Sequence, residues 1–291
     1  MFDRAMRWLV PSIPVLSRGP LSGILDFADF LLIRQHPEWR HLPPASLRMR
    51  IGVGNAILRN HAAFLAAGEG LVQGLRTHGC LSPSSHVLEL GCGCGRNALA
   101  FAKYLGPDGS YVGMDVDAEM IQWCNNHLSS EGFRFEHVDA YSSVYNPGGV
   151  QLGQYRFPAE DRGVTLVVAV SVFSHLLFAE ARQYVRESGR VLGQDGFLYA
   201  TFFLIDFLRG NLGGRWTFRH TSERCYVESL RYPEAAVAYE LAVVREMLDE
   251  GGLEVHALYG EESHQQAILA HKLETHPSGG HKTGTAHRLN S

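Results

Sequence analysis

The stretch HVLELGCGCGRNA, residues 86–98, contains the residues best suited to bind a ligand. Gly91, Gly93 and Gly95 alternate across a turn between an apolar strand and a following helix. Glycine lets the backbone bend sharply and come within contact of a ligand, because a Cβ atom would intrude. The acid Glu89 precedes the first glycine by two residues. This pattern predicts a turn that carries a ligand, although a tight strand-to-helix turn without a ligand has the same spacing.

Two acids follow later strands at places that suit the other end of such a ligand. Asp115 ends the strand predicted at 110–115, 20 residues beyond Gly95, where one carboxylate can accept hydrogen bonds from both hydroxyls of a ribose. Asp139 follows the next predicted strand, where a carboxylate can accept from an adenine amino group and the Ala140 amide can donate. The alternatives are an ordinary surface acid for Asp115 and an N-cap for Asp139.

Ser171 and His175 follow the very apolar segment 165–170, TLVVAV. This composition is typical of a central strand buried on both faces. His175 is suited to accept a proton from a substrate or to contact it, and its alternative role is to orient the start of a helix by hydrogen bonding. Three other side chains are candidate bases, namely Asp206, His220 and Glu223.

Strands and helices alternate between residues 86 and 204, which is typical of a parallel, doubly wound sheet. The hydrophobic pattern predicts strands at 86–90, 110–115, 133–138, 165–170, 196–204, 253–259 and 266–272. It predicts helices at 21–34, 55–77, 96–105, 118–129, 174–191 and 234–249. The short link between the last two strands favours an antiparallel pair. The predicted fold class is therefore α/β, a doubly wound, seven-stranded, mostly parallel sheet with a C-terminal antiparallel hairpin strand and an N-terminal helical extension.

The chain is predicted to contain an N-terminal helical extension (1–80), a ligand-binding domain (81–272) with a cap insertion (206–232), and a disordered tail (273–291). Within the extension, 47–55 is predicted to be extended. The first 60 residues hold eight arginines and four acids, and the extension is interpreted as a cap, a contact between copies of the chain, or an anchor at a membrane surface. The insertion mixes aromatic residues, arginines and glycines, which indicates a lid over an organic molecule.

The composition is that of an ordinary globular protein. The 291 residues are 45% apolar and 19% charged with a net charge of −4, so the basic excess of a nucleic-acid binder is missing. Five cysteines, an odd number, argue against a disulfide framework and favour a reducing cytoplasm. No C-x-x-C pair occurs, so we expect no metal site. No long apolar run or signal-peptide pattern occurs, so we expect no transmembrane segment.

Four segments together resemble the class I S-adenosylmethionine (SAM)-dependent methyltransferases, especially bacterial enzymes of small-molecule and secondary metabolism. They are VLELGCGCGR, YVGMDVD, FEHVDA and SVFSHL, in the family's order within residues 80–272. The resemblance implies SAM as the cofactor and S-adenosylhomocysteine as the product. It implies contacts with SAM from Glu89, Gly91, Cys92, Gly93, Gly95, Asp115, Val116, Met120, Asp139, Ala140 and Ser171. The family often has Asp where this chain has Glu89, and either acid keeps the charge.

In this family the strand like 165–170 ends over the methionine end of SAM and the acceptor, which makes His175 the candidate catalytic residue. The resemblance implies methyl transfer to an oxygen, nitrogen or carbon nucleophile of a small organic molecule in specialised metabolism. The acceptor pocket is expected between the N-terminal segment, 141–160 and 206–232. Self-association through the N-terminal helices is the only protein contact predicted, and no nucleic-acid partner is expected.

Three other functions are alternatives. A nucleic-acid methyltransferase is supported only by the N-terminal arginines, and SVFS stands where amino-methylating DNA enzymes often carry (N/D/S)PP(Y/F). An NAD-dependent oxidoreductase is disfavoured because Arg96 replaces the last glycine of G-x-G-x-x-G and because the last two strands are antiparallel. The third alternative is a catalytically silent SAM-fold binding module.

Overall fold

Three helices form the described part of the N-terminal extension in the computed structural model. The structure describes residues 18–52, 60–141, 146, 148–149, 155–208, 216–261 and 263–272. The three helices are α1 (Pro20–Ile33), α2 (Ala45–Arg50) and α3 (His61–Thr77). The disorder predicted for 273–291 concerns residues outside this description.

Helix α2 contradicts the extended conformation predicted from residue 47. Contacts with α1 explain the difference. The Asp26 carboxylate accepts hydrogen bonds from the Ser46 amide at 2.8 Å and from the Ser46 hydroxyl at 2.7 Å. The Arg48 guanidinium is fully buried and donates to both oxygens of Asp29, at 3.1 and 2.8 Å. These partners are distant in the sequence, so a local pattern does not reveal them.

The regular part of the fold alternates strands and helices as predicted. Its elements are β1 (His86–Leu90), α4 (Arg96–Tyr104), β2 (Ser110–Asp115), α5 (Ala118–His127), β3 (Phe133–His137), β4 (Val164–Ala169), α6 (Phe178–Val191) and β5 (Leu192–Leu204). Helix α6 begins later than the predicted residue 174, because Phe173–His175 forms a separate single 3₁₀ turn.

The C-terminal part adds short strands that the sequence pattern did not predict. Its elements are α7 (Ile205–Leu208), β6 (His220–Ser222), β7 (Cys225–Val227), β8 (Val237–Tyr239), α8 (Leu241–Glu250), β9 (Leu253–Tyr259) and β10 (Gln266–Lys272). The helix predicted at 234–249 is wrong in its first part. Strand β8 lies there instead, because its backbone pairs with β5 and β7 and its three side chains are buried.

Seven strands form the main sheet in the order β3-β2-β1-β4-β5-β10-β9. The first five are parallel to one another, and β10 is antiparallel to both β5 and β9. This arrangement confirms the predicted α/β class. Strand β8 pairs with Phe203 and Leu204 at the end of β5, and β7 and β6 extend this branch. The described part of the predicted cap insertion therefore contains the β6–β7 hairpin.

Strand β4 lies at the centre of the core. Leu166 and Val168 pack on one face in a cluster with α3 and α4, and Val167 and Ala169 pack on the other face in a cluster with α6 and α8. All four side chains are fully buried, as expected for a parallel strand covered on both sides. No helix in the described ranges is long and apolar enough to cross a membrane.

Candidate cofactor site

The glycine turn lies at the carboxyl end of β1, the edge where ligands bind in sheets of this kind. Gly91, Gly93 and Gly95 have φ angles of +67°, +55° and +82°. These angles are costly for residues with a Cβ atom. A Cβ atom on Gly93 would come within 2.5 Å of Cγ2 of Ile51, and one on Gly91 within 2.6 Å of Cγ2 of Val172. The turn therefore lies directly beneath the extension and the segment after β4.

Asp115 joins the end of β2 to the glycine turn. Its Oδ2 accepts a hydrogen bond from the Gly93 amide at 2.7 Å, and its Oδ1 accepts from the Asp117 amide at 2.9 Å. Burial raises the pKa of the Asp115 carboxyl to about 6, although these amide bonds oppose the shift. The Val116 amide is a third backbone donor to this carboxylate. Since a carboxylate offers about four acceptor positions, one remains for a ribose hydroxyl.

Glu89 lies beneath the turn, not on its surface. Its Oε1 accepts from Nδ2 of Asn97 at 2.6 Å, and its Oε2 accepts from the Tyr111 hydroxyl at 2.5 Å. Burial raises the pKa of Glu89 to about 7, and the two hydrogen bonds oppose this shift. Glu89 thus ties β1 to α4 and β2, and its predicted contact with the cofactor stays a prediction.

Thiols surround the carbonyl of Gly93 on the inner side of the turn. The Cys92 and Cys124 thiols donate weakly to this oxygen at 3.7 and 3.6 Å. Burial raises the pKa of both thiols. Met120 is also buried, in a cluster with Cys94, Phe64, Leu42 and Leu47. Cys92 and Met120 are therefore buried in the packing around the turn, whereas Val116 is half-buried beside Asp115.

The residues predicted at the adenine end follow β3. Asp139 is exposed, and its Oδ1 accepts from Nδ2 of Asn146 at 3.1 Å. The same amide donates to the Ala140 carbonyl at 3.1 Å. Ala140 itself is buried. Asn146 is a residue that the sequence pattern did not single out, and it fixes the position of this loop.

Ser171 follows β4 in a left-handed conformation, with φ of +58°. Its amide donates to Oγ1 of Thr201 at 2.7 Å, and its hydroxyl donates to Oε1 of Gln265 at 3.0 Å. This network joins the ends of β4 and β5 to the residue before β10. Non-glycine residues with positive φ cost energy and often occur at functional sites. Thr201 and Gln265 are far from Ser171 in the sequence, so no motif pointed to them.

His175 is held by the segment before β8. Its Nδ1 donates to the Glu234 carbonyl at 2.9 Å, which leaves Nε2 as the basic nitrogen of the neutral ring. Burial lowers the pKa of His175, and the Glu234 carbonyl opposes this shift. This contact orients the ring from the segment before β8 and not from the start of a helix, so the alternative role of His175 stays a prediction. The same contact also presets the tautomer that a base would need.

The comparisons with known proteins agree with this geometry. Residues 87–196 match the family model described as a methyltransferase domain. The chain is 28% identical over 155 residues to YcgJ, an uncharacterized methyltransferase of Bacillus subtilis, and the match covers 52% of each chain. It is 30% identical over 135 residues to an arsenite methyltransferase of Aquipseudomonas alcaligenes, covering 45% of this chain and 35% of that one.

Residues 87–196 carry a methyltransferase domain. This finding confirms the resemblance and sets aside the oxidoreductase alternative. The chain spans about half the length of the Bacillus relative and about a third of the arsenite methyltransferase. The solved structure of the PH0226 protein from Pyrococcus horikoshii OT3 has a TM-score of 0.51 at 17% identity, over 70% of this chain and 90% of that one. At this identity the likeness shows the fold alone.

The other candidate bases lie in different surroundings. Oδ2 of Asp206 accepts from the Leu241 amide at 2.7 Å, so this carboxylate caps the start of α8. His220 and Glu223 are exposed on the β6–β7 hairpin. The structure brings none of the three to the glycine turn by any described contact, and His175 is the histidine that follows β4.

The sequence pattern missed the charged residues that join the extension to the cofactor site. Arg18 and Arg50 both donate to the Asp117 carboxylate, which is 1% exposed. Asp117 follows β2 by two residues and accepts from the Glu119 and Met120 amides at the start of α5. Its N-cap position could have been read from the sequence, but its partners could not.

Proposed function

We propose that this protein transfers the methyl group of SAM to an oxygen, nitrogen or carbon atom of a small organic molecule. The observation that carries the proposal is the hydrogen bond between Asp115 and the Gly93 amide, which joins the ribose-binding acid to the glycine turn within the matched domain. SAM supplies an already activated methyl group. The protein therefore contributes mainly alignment and the exclusion of water.

The proposed cofactor site follows the carboxyl edge of the first three strands. Gly91–Gly95 would face the methionine part of SAM, and Asp115 would bind the ribose. Val116, Asp139 and Ala140 would lie toward the adenine, although the Ala140 amide donates to the Val138 carbonyl at 2.7 Å. Two features support the fit, namely the positive φ angles of the turn and the position of the Asp115 carboxylate beside the Gly93 amide.

We place the acceptor between the segment after β4 and the branch formed by β6, β7 and β8. Tyr239 of β8 donates its hydroxyl to the Leu176 carbonyl at 2.6 Å, and the Glu234 carbonyl accepts from His175. These contacts hold the branch against the segment that carries His175. Nε2 of His175 is the proposed base for an acceptor that must lose a proton.

The arsenite acceptor named for one relative is not carried over to this chain. Arsenite is a soft acceptor that thiolates bind. All five cysteines of this chain are free and buried. Burial raises the pKa of Cys80 and Cys225 to about 11 and of Cys94 to about 12, which keeps these thiols protonated near neutral pH. Because arsenite is bound by thiolates and these thiols are protonated, we propose an organic acceptor and not arsenite.

We further propose that the protein acts in the cytoplasm and self-associates through α1. Free thiols throughout the chain support a reducing compartment. The outward side of α1 exposes Ile24, Phe27, Phe30 and Leu31, and an apolar surface of this kind commonly marks a contact. The net charge of −4 does not favour nucleic acid as a substrate.

Calorimetric titration with SAM, followed by a transfer assay with isotopically labelled methyl and a set of phenols, amines and carboxylates, tests the proposal. We expect SAM to bind and at least one organic class to be labelled. Arsenite and a mixed RNA and DNA sample serve as comparison acceptors. Binding of SAM with no transfer to any acceptor would favour the catalytically silent module, and labelling of nucleic acid alone would replace the small-molecule acceptor.

A further inference from the structure

The N-terminal extension reaches the cofactor site through one buried arginine. Arg50 is 3% exposed at the end of α2. Its Nη1 donates to both oxygens of Asp117, at 3.1 and 3.0 Å, and its Nη2 donates to Oε2 of Glu119 at 2.5 Å. Arg18 adds a second bond to Oδ2 of Asp117 at 2.9 Å. Two cations of the extension therefore converge on one buried carboxylate of the methyltransferase domain.

Asp117 is two residues from the proposed ribose acid and is bonded to it. The Asp117 amide donates to Oδ1 of Asp115, and Oδ2 of Asp115 accepts from the Gly93 amide. The residue after Arg50, Ile51, lies against Gly93 from above. A continuous series of contacts thus runs from Arg50 through Asp117 and Asp115 to the glycine turn. The contact of Ile51 with Gly93 joins the turn back to the residue next to Arg50.

Two carboxylates this close compete for ionisation, because each negative charge disfavours the other. The charge of Asp117 is among the causes that raise the pKa of Asp115. The guanidinium groups of Arg50 and Arg18 offset that charge. The other titratable groups around the pair are Glu89 on β1, the thiols of Cys92 and Cys124, Glu119 on α5 and His137 on β3.

We propose that Arg50 is a positioning residue for SAM: it neutralises Asp117, keeps Asp115 ionised for the ribose, and holds Ile51 over Gly93. The inference rests on the proposed use of SAM at Asp115. Arg50 acts through Asp117, and it makes the extension a part of the cofactor site.

The test is the pH dependence of SAM affinity for Arg50→Met, measured by calorimetry. The ionised form of Asp115 is lost as the pH falls through its pKa, and removal of Arg50 raises that pKa further. A rise of about one unit is tenfold in the ionisation equilibrium. Because the pKa of Asp115 is about 6 in the wild type, we expect a loss of about fivefold in affinity at about pH 6 and of less than about twofold at about pH 8.5. Arg50→Lys, which keeps the charge, should retain the wild-type pH profile.

Arg40→Met is the matched control, because Arg40 is an exposed arginine of the same extension. The Asp117→Asn variant gives a second, independent measurement. It keeps a side-chain oxygen for the start of α5 and removes the like charge, so SAM binding should persist to lower pH than in the wild type. In the Asp117→Asn background, Arg50→Met should no longer shift the profile.

Three results would overturn the inference: an equal loss of affinity at both pH values for Arg50→Met, an unchanged profile in Asp117→Asn, or a shift equally large in Arg40→Met. If Arg50→Met does not fold, Arg50→Lys and Asp117→Asn still decide the question. Failure of the wild type to bind SAM at either pH is a different outcome, because it contradicts the proposed function and not the role of Arg50.

Discussion

At the scale of single residues, the two acids near the glycine turn have different roles. Asp115 faces the turn with an unused acceptor position, whereas both oxygens of Glu89 accept bonds from inside the fold. A sequence motif treats both as cofactor residues. The structure separates them, because only Asp115 presents its carboxylate at the edge of the sheet.

The Asp115→Ala variant should lose most of its affinity for SAM. Removing the charge-assisted hydrogen bonding to the ribose costs about 2–4 kcal/mol of binding free energy, and the Gly93 amide also loses its partner. Calorimetric titration measures the change, with Asp108→Ala at an exposed turn as the control. An unchanged dissociation constant for Asp115→Ala would remove Asp115 from the ribose site.

Glu89 should make folding stability depend on pH in an unusual direction. Burial raises its pKa to about 7 in the folded state, above the value of about 4.3 for an unfolded chain. Its contribution to stability is therefore fully present below the unfolded pKa and is lost as the pH rises through about 7.

The Glu89→Gln variant tests this dependence, because glutamine can still bond to Asn97 and Tyr111 but cannot ionise. Between about pH 5 and pH 8 the wild type should lose on the order of 2–3 kcal/mol of unfolding free energy relative to Glu89→Gln. Urea denaturation at both pH values measures the difference. Parallel stability curves for the two proteins would contradict a raised pKa at Glu89.

At the scale of elements, close backbone contacts decide how the helices pack on the sheet. A Cβ atom on Gly189 of α6 would lie 1.8 Å from the carbonyl oxygen of Gly251, which follows α8. Backbone atoms cannot rotate away as a side chain can. The approach of α6 to the end of α8 therefore requires glycine at this position, and the helical pattern of the sequence gives no sign of it.

Gly189→Ala should destabilise the fold by about 3 kcal/mol or more through this clash. Gly74→Ala is the matched control, because Gly74 also lies within a helix and a Cβ atom there meets no atom within 4 Å. The control should gain about 0.5–1 kcal/mol from lower chain entropy in the unfolded state. Urea denaturation compares the two, and equal midpoints would refute the close contact between α6 and Gly251.

At the scale of the whole molecule, α1 turns its acids inward and its apolar side chains outward. Asp26 bonds to Ser46 and Asp29 to Arg48, while Ile24 and Phe27 are 65% and 64% exposed. Burying this face between two copies of the chain would remove the apolar surface from water. This arrangement is the basis of the proposed self-association.

Phe27→Glu should shift the protein toward the monomer in sedimentation experiments, because a charge in an apolar contact is costly. Leu230→Glu is the control, since Leu230 is 68% exposed and lies between β7 and β8, outside α1. A wild type that stays monomeric at high concentration, or a Phe27→Glu variant that associates as the wild type does, would reject the contact through α1.

The sequence alone determined the fold class and predicted where the glycine turn and Asp115 lie on the sheet. The alternation of apolar strands and helices is a local pattern, and so is the spacing of Gly91, Gly93, Gly95 and Asp115. Strand β4 was recognisable because burial on both faces requires an unbroken apolar run. These features follow from short segments, whose hydrophobic period and glycine content need no distant partner.

The tertiary structure alone decided the features that depend on distant partners. The strand β8 appears where a helix was predicted, because pairing with β5 and β7 outweighs its local preference. The bond from Arg50 to Asp117 joins residues 67 positions apart, and the contact of Ser171 with Gln265 spans 94. A sequence pattern carries no information on which charged or polar side chains meet across such separations, because burial and geometry select the pairs only once the sheet has formed.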